Sequence, residues 1–178
     1  GVTGEGLEVL KKALVGQLAG QPCRQVEAPF RLPVDRAFLR PGFGTVATGS
    51  LWSGRLRQGD LVEVLPLKLQ ARVRGLQVHG CAVPEAVAGQ RVAINLAGVE
   101  PGVLHRGQVL AAPGWLAPTQ RLDVRLETLP GLLRPLANRT RVCFYAGTAE
   151  TLGKLSLLEG DEVPAEASVL AQVVLDRE

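Results

Sequence analysis

Asp35 and Arg36 stand side by side in DRAFLRPGFGTVATGSL, at the end of an apolar run and just ahead of a Pro/Gly turn. A carboxylate beside a guanidinium offers one ligand both an acceptor and a cation. The pair reads as a ligand site on the rim of a β-barrel. The alternative is a surface ion pair, worth about 0 to 1 kcal/mol.

Other groupings carry less chemistry. Arg139 and Arg141 alternate with Thr140 and Val142, which predicts both guanidinium groups on one strand face, either contacting phosphate or solvated. His79 and Cys81, at i and i+2, are predicted to share a strand face. No acid stands ready to orient them as base and nucleophile, so an accidental pairing is the better account. GTVATG lacks the lysine of a phosphate loop and reads as a hairpin strand. GTAET, holding Glu150, reads as a turn, and His105 as a solvated loop residue. Cys23, Cys81 and Cys143 are odd in number and form no C-x-x-C, which predicts neither a metal site nor a disulfide framework and fits a reducing cytoplasm. No catalytic residue and no metal ligand is assigned.

The elements that must position these groups follow from periodicity. GVTGEGLEVLKKALVGQLAG predicts an amphipathic helix with Thr3 as N-cap and Leu7, Leu10, Leu14 and Leu18 on one stripe. That stripe requires a covering body, either outside the chain or folded later in it. After Pro22 the period changes to 2. Phe30, Leu32 and Val34 point one way, Arg31 and Asp35 the other, and RPGFG turns the chain into TVATGSL. With GDLVEVLPL, QARVRGLQV, RVAINLAGV and RGQVLAA this makes six strands, with a bulge expected at Gly75 because Val73 and Leu76 differ in parity. Six short strands with glycine turns predict a closed barrel. A second set, QRLDVRLETL, RTRVCFYAG, ETLGKLSLL and ASVLAQVVLD, begins after GWLAPT, and PGLLRPLANR connects two of them. The expected class is mainly β: two consecutive antiparallel barrels, the second incomplete with an exposed edge, preceded by one helix. The expected divisions are 1–21, 22–115 and 116–178.

Composition narrows the function. The chain of 178 residues is 46% hydrophobic and 21% charged, as in a globular domain, and it has no Met, so Gly1 reads as lying within a longer protein. No run approaches the ~20 apolar residues of a membrane span. The positive excess is concentrated in residues 21–115, which hold eleven basic and six acidic side chains; residues 116–178 hold seven and nine. Sixteen of the twenty basic residues are Arg, suited to bidentate contacts with phosphate and carboxylate.

These residues carry a family resemblance. FRLPVDRAFLRPGFGTVATGSLWSGRLRQGD resembles the start of the second domain of translational GTPases of the elongation factor Tu type. VRGLQVHGCAVPEAVAGQRVAINLAGVE, RGQVL and RTRVCFYAGTAETLGKLSLL are similar, more specifically, to selenocysteine-specific elongation factors, and GVTGEGLEVLKKAL to the last helix of their GTPase domain. The resemblance implies barrels that hold selenocysteyl-tRNA for the ribosome, in a parent protein that binds GTP and magnesium and reaches a messenger RNA hairpin through C-terminal domains absent from this sequence. No cofactor and no membrane is expected for these residues, and GTP hydrolysis belongs to the parent.

The resemblance also assigns Asp35, Arg36 and Arg91 to the aminoacyl pocket. Asp35 would accept from the α-ammonium of the ester, and Arg36 and Arg91 would face a side chain that arrives as a selenolate. A neutral serine hydroxyl would leave guanidinium charge uncompensated, at about 3 to 5 kcal/mol if the pairing is well buried. Arg55, Arg57, Arg72, Arg74, Arg139 and Arg141 are the candidates for tRNA backbone contacts. The rival expectations are the barrels of a general elongation or initiation factor, and a protein-docking barrel with no RNA ligand.

Overall fold

The computed structural model describes residues 3–21 and 24–178; the expectations resting on Gly1, Pro22 and Cys23 lie outside them. Helix α1 spans Leu7–Ala19. Its N-cap is Gly6, with φ 80° and no side-chain cap, in place of the expected Thr3. A left-handed backbone is inexpensive for glycine and strained for a β-branched residue. The Thr3 hydroxyl accepts the Glu5 N–H at 3.4 Å in the preceding turn. No helix residue is buried, so the rest of the chain does not cover the leucine stripe.

The first β unit contains β1 (Arg31–Arg40), β2 (Gly44–Ser50), β3 (Arg55–Arg57), β4 (Leu61–Leu65), β5 (Leu69–Val78), β6 (Cys81–Val83), β7 (Glu85–Val87), β8 (Arg91–Ala97) and β9 (Val109–Ala111). Six of these form the ring β4-β9-β1-β2-β8-β5, closed by pairing of β5 with β4. They are the six strands read from the sequence. The short β6 extends β5 as a hairpin, and β3 pairs with β7 in a separate ribbon. Alternation explains the core: in β8, Val92, Ile94 and Leu96 are buried while Arg91 faces out. Leu32, Leu51, Leu56 and Leu110 join them, each contributing about 1.5 to 3 kcal/mol by burial. The expected bulge is present, with the β5 register slipping between Val73 and Gly75.

The turn from β5 to β6 corrects one expectation. His79 and Gly80 both have positive φ, 52° and 81°, and join the paired residues Val78 and Cys81 as a two-residue hairpin loop. His79 therefore sits in the turn and does not share a strand face with Cys81.

The second unit contains β10 (Arg121–Glu127), β11 (Leu136–Ala137), β12 (Arg141–Ala146), β13 (Ala149–Leu157), β14 (Glu162–Val163) and β15 (Ser168–Leu175). Its main sheet runs β10-β15-β13-β12, with β11 and β14 paired beside it. Leu155, Leu157, Val163, Ala171, Val173 and Leu175 form its own apolar cluster. The sheet does not close: among the described residues β10 and β12 each have one neighbour, which leaves the exposed edges expected of an open barrel. Arg139 and Arg141 do not share a strand face. Arg139 has φ 62° and precedes β12, because the Asn138 carboxamide oxygen takes the N–H groups of Arg139 (2.8 Å) and Leu157 (3.0 Å) and holds a turn there.

No helix is long and apolar enough to cross a membrane, and no group of three or more metal-ligating side chains occurs among the described residues.

Candidate functional site

A second bulge builds the site. The register of β1 on β2 jumps from Val34 opposite Gly49 to Arg36 opposite Thr48, leaving Asp35 as the extra residue. In a regular strand Asp35 and Arg36 would point to opposite faces. With two residues set against one, both serve the outer face that Thr48 occupies.

The Thr48 hydroxyl donates to Asp35 Oδ1 at 2.6 Å. Arg91, from β8 on the far side of β2, donates through Nη1 to Oδ2 and through Nη2 to Oδ1 at 3.1 Å. Pairing of Ser50 with Arg91 and of Thr48 with Ala93 brings Arg91 to this face. The Asp35 side chain is 19% exposed and that of Arg91 53%. Burial by itself would raise the Asp35 carboxyl. The hydrogen bonds from Arg91 and Thr48, with the charges of Arg91 and Arg36, outweigh it and hold the group below the usual carboxylate value. Arg36 is exposed, and its side chain has no hydrogen bond or ion pair among the described residues.

Beside Arg91 lies an open cleft of about 200 Å³, lined by Thr48, Gln77, His79, Arg91 and Ala93. The site thus holds one carboxylate, one cation bound to it, one cation left over and a shallow polar cleft. Such an arrangement can take a ligand carrying both an ammonium and an anionic group. Arg91 and Arg36 are too exposed for the large desolvation penalty considered above: water would still solvate them beside a neutral ligand, and discrimination falls toward the 0 to 1 kcal/mol of exposed pairs.

Sequence reasoning did not find Thr48, Gln77 or the bulge, and it considered His79 only as an accidental neighbour of Cys81. Apolar parity shifts between Val34 and Ala37, but Phe38 keeps the old parity while standing 47% exposed, which hides the slip.

The basic residues outside the site differ in how far they are neutralised. Arg55 pairs with Glu27 and Glu85, and Arg57 with Glu85. Arg72 donates to the Gly59 carbonyl at 2.8 Å, and Arg141 reaches Asp176 at 2.7 Å. Arg74, the extra residue of the β5 bulge, is exposed with no ion pair among the described residues. A larger cleft of about 760 Å³ opens between the two units, where Arg31, His105 and Arg106 face Leu122, Phe144 and Leu175.

Comparison with known proteins relates the sequence and the fold of this chain to a family. Residues 44–111 match the sequence model described as elongation factor Tu domain 2. The chain is 44% identical over 177 residues to a selenocysteine-specific elongation factor of Desulfomicrobium baculatum, covering 98% of this chain and 28% of that protein. It is 38% identical over 165 residues to elongation factor Tu 2 of Streptomyces avermitilis, covering 87% of this chain and 42% of that protein. Its fold is similar to the crystal structure of a bacterial selenocysteine-specific elongation factor, EF-Sec, with TM-score 0.80 and 32% identity, covering 99% of this chain and 28% of that one. The apo form of translation elongation factor SelB from Methanococcus maripaludis superposes with TM-score 0.82 at 24% identity, over 97% of this chain and 41% of that one, a likeness of fold alone. The chain therefore spans less than half the length of each of these proteins.

Proposed function

The chain is related along nearly its whole length to selenocysteine-specific elongation factors, and from that premise we propose that it supplies the barrels that hold selenocysteyl-tRNA for delivery to the ribosome at recoded UGA codons. In this reading residues 1–21 end the GTPase domain, 22–115 are the first barrel and 116–178 belong to the second. GTP, magnesium and the messenger RNA hairpin engage other parts of a cytoplasmic parent protein.

The observation that carries the reading is the grouping of Asp35, Arg91 and Arg36 on one outer face, in a chain 44% identical to a factor of that name. Asp35 receives the α-ammonium of the aminoacyl ester. Arg91 then exchanges part of its contact with Asp35 for the selenolate, and Arg36 adds the second positive charge. Because both guanidinium groups are exposed in the chain alone, strong rejection of a seryl ester requires another surface to cover the site and exclude water, which raises the cost of an unpaired cation toward several kcal/mol. Arg suits this task because it stays protonated in any environment.

The experiment uses the full-length GTP-bound protein and compares protection of selenocysteyl and seryl esters from hydrolysis. The wild type is expected to protect the selenocysteyl ester, and Arg91→Ala to lose that preference. Equal protection of both esters by both proteins overturns the reading. The 38% identity to elongation factor Tu 2 supports the second reading, a general carrier, which that outcome would favour.

A further inference from the structure

The second unit touches the first on the strand that carries the candidate site. Its β12–β13 loop, Gly147–Thr148, lies against β1. The Thr148 hydroxyl donates to the Val34 carbonyl oxygen at 2.7 Å, across 114 residues of sequence. The same oxygen accepts the Gly107 N–H at 3.1 Å. Two glycines permit the close approach. A Cβ on Gly147 would stand 3.2 Å from Pro33 and from the Trp52 ring, and one on Gly107 would stand 3.2 Å from Ala149 Cα.

Val34 is the last residue in register before the bulge. A peptide unit is planar, so holding the Val34 carbonyl oxygen also orients the Asp35 amide in the same plane. The two donors thus fix the peptide unit at which the strand slips by one residue.

We infer that Thr148 is a positioning residue for the Asp35, Arg36 and Arg91 site: docking of the second unit's hairpin on the Val34 carbonyl holds the bulge that turns Asp35 and Arg36 to one face. The consequence for ligand choice rests on the function proposed above, whereas the coupling is a property of the chain itself. The charged and titratable groups around the Asp35 carboxyl are Arg36 beside it, Arg91 from β8 and His79 at the rim from the β5–β6 turn.

Thr148→Val removes the donor and keeps the shape, and Thr148→Ser restores the donor. Titration of the Asp35 carboxyl by NMR in the full chain reads the geometry of the bulge directly. A loosened bulge weakens the bonds from Arg91 and Thr48 that hold the carboxyl down, so its midpoint is expected to rise in Thr148→Val and to return in Thr148→Ser. An unchanged midpoint in folded Thr148→Val overturns the inference. Should that variant not fold, Gly107→Ala presses on the same contact from the first barrel, with the same rise expected and the same unchanged midpoint counting against it. In the full-length protein, Thr148→Val is further expected to narrow the preference for the selenocysteyl ester. A raised midpoint with an unaltered ester preference leaves the coupling standing and overturns the reading of the site as the one that selects the amino acid.

Discussion

Arg91 meets Asp35 through both terminal nitrogens of its guanidinium, although 56 residues separate them. The planar fork matches the carboxylate, so the contact fixes an angle as well as a distance. It also ties β8 to β1 across the intervening β2, and it leaves Arg36 as the cation without a partner among the described residues.

The pair sets a pH dependence. Because the folded Asp35 pKa lies below its ordinary value of 3.8, its contribution is complete above that value and is lost as pH falls through the lower folded midpoint. Asp35→Asn is expected to cost about 1 kcal/mol or less at neutral pH, since Arg91 is half exposed, and to flatten this acid limb. Urea unfolding at neutral and acidic pH checks both; an acid limb as steep in the variant as in the wild type would place the titration elsewhere.

Thr48 is expected to act on the same carboxyl from the other side. Thr48→Val deletes the 2.6 Å hydrogen bond while keeping the β-branched shape, costing about 1 kcal/mol and raising the Asp35 midpoint. Chemical denaturation and carboxyl NMR measure the two effects separately.

Gly49 faces Val34 beside the bulge, and here close approach requires glycine. A Cβ would stand 2.2 Å from the Pro33 carbonyl oxygen and 2.6 Å from Leu32 Cδ2, both parts of the barrel core strand. Gly49→Ala is expected to lose about 3 kcal/mol or more, whereas Gly75→Ala, with nothing within 4 Å of its Cβ, stays within about 0.5 kcal/mol. Thermal melts that rank the two variants the other way would refute the assignment of the clash.

Neutralisation by carboxylates separates the RNA candidates. If the barrels bind tRNA backbone, Arg74→Ala should reduce the slope of log affinity against log salt by about 0.7 to 0.9. Arg57→Ala should change it less, because Glu85 already holds that guanidinium. Filter binding over a salt series reads the slopes; equal losses would mean that the ion pairs of Arg57 break on binding.

Much of the scaffold is legible in the sequence because it is local. Alternation in RVAINLA places Val92, Ile94 and Leu96 in the core, and the opposed parities of Val73 and Leu76 announce the bulge beside Gly75. The turn expected over GTAET is confined to Gly147–Thr148; Ala149, Glu150 and Thr151 already pair as β13 with β12. Where a left-handed backbone decides, the local pattern misleads: Gly6 displaces Thr3 as the helix cap, the His79–Gly80 turn separates His79 from Cys81, and the turn at Arg139 separates it from Arg141. Each of these depends on a φ value that residue spacing does not encode.

The sequence by itself determined the six ring strands of the first unit, the four main strands of the second and, through resemblance, the grouping of Asp35, Arg36 and Arg91; the short strands β3, β6, β7, β11 and β14 lay outside its reach. Only the tertiary structure decided that Asp35 is the extra residue of a bulge, that Thr48 and Arg91 close on it, and that Thr148 from the second unit holds the preceding carbonyl. The period of a strand is set by its own backbone and can be read along the chain. Register belongs to pairs of strands, and a slip of one residue reverses which side chains share a face.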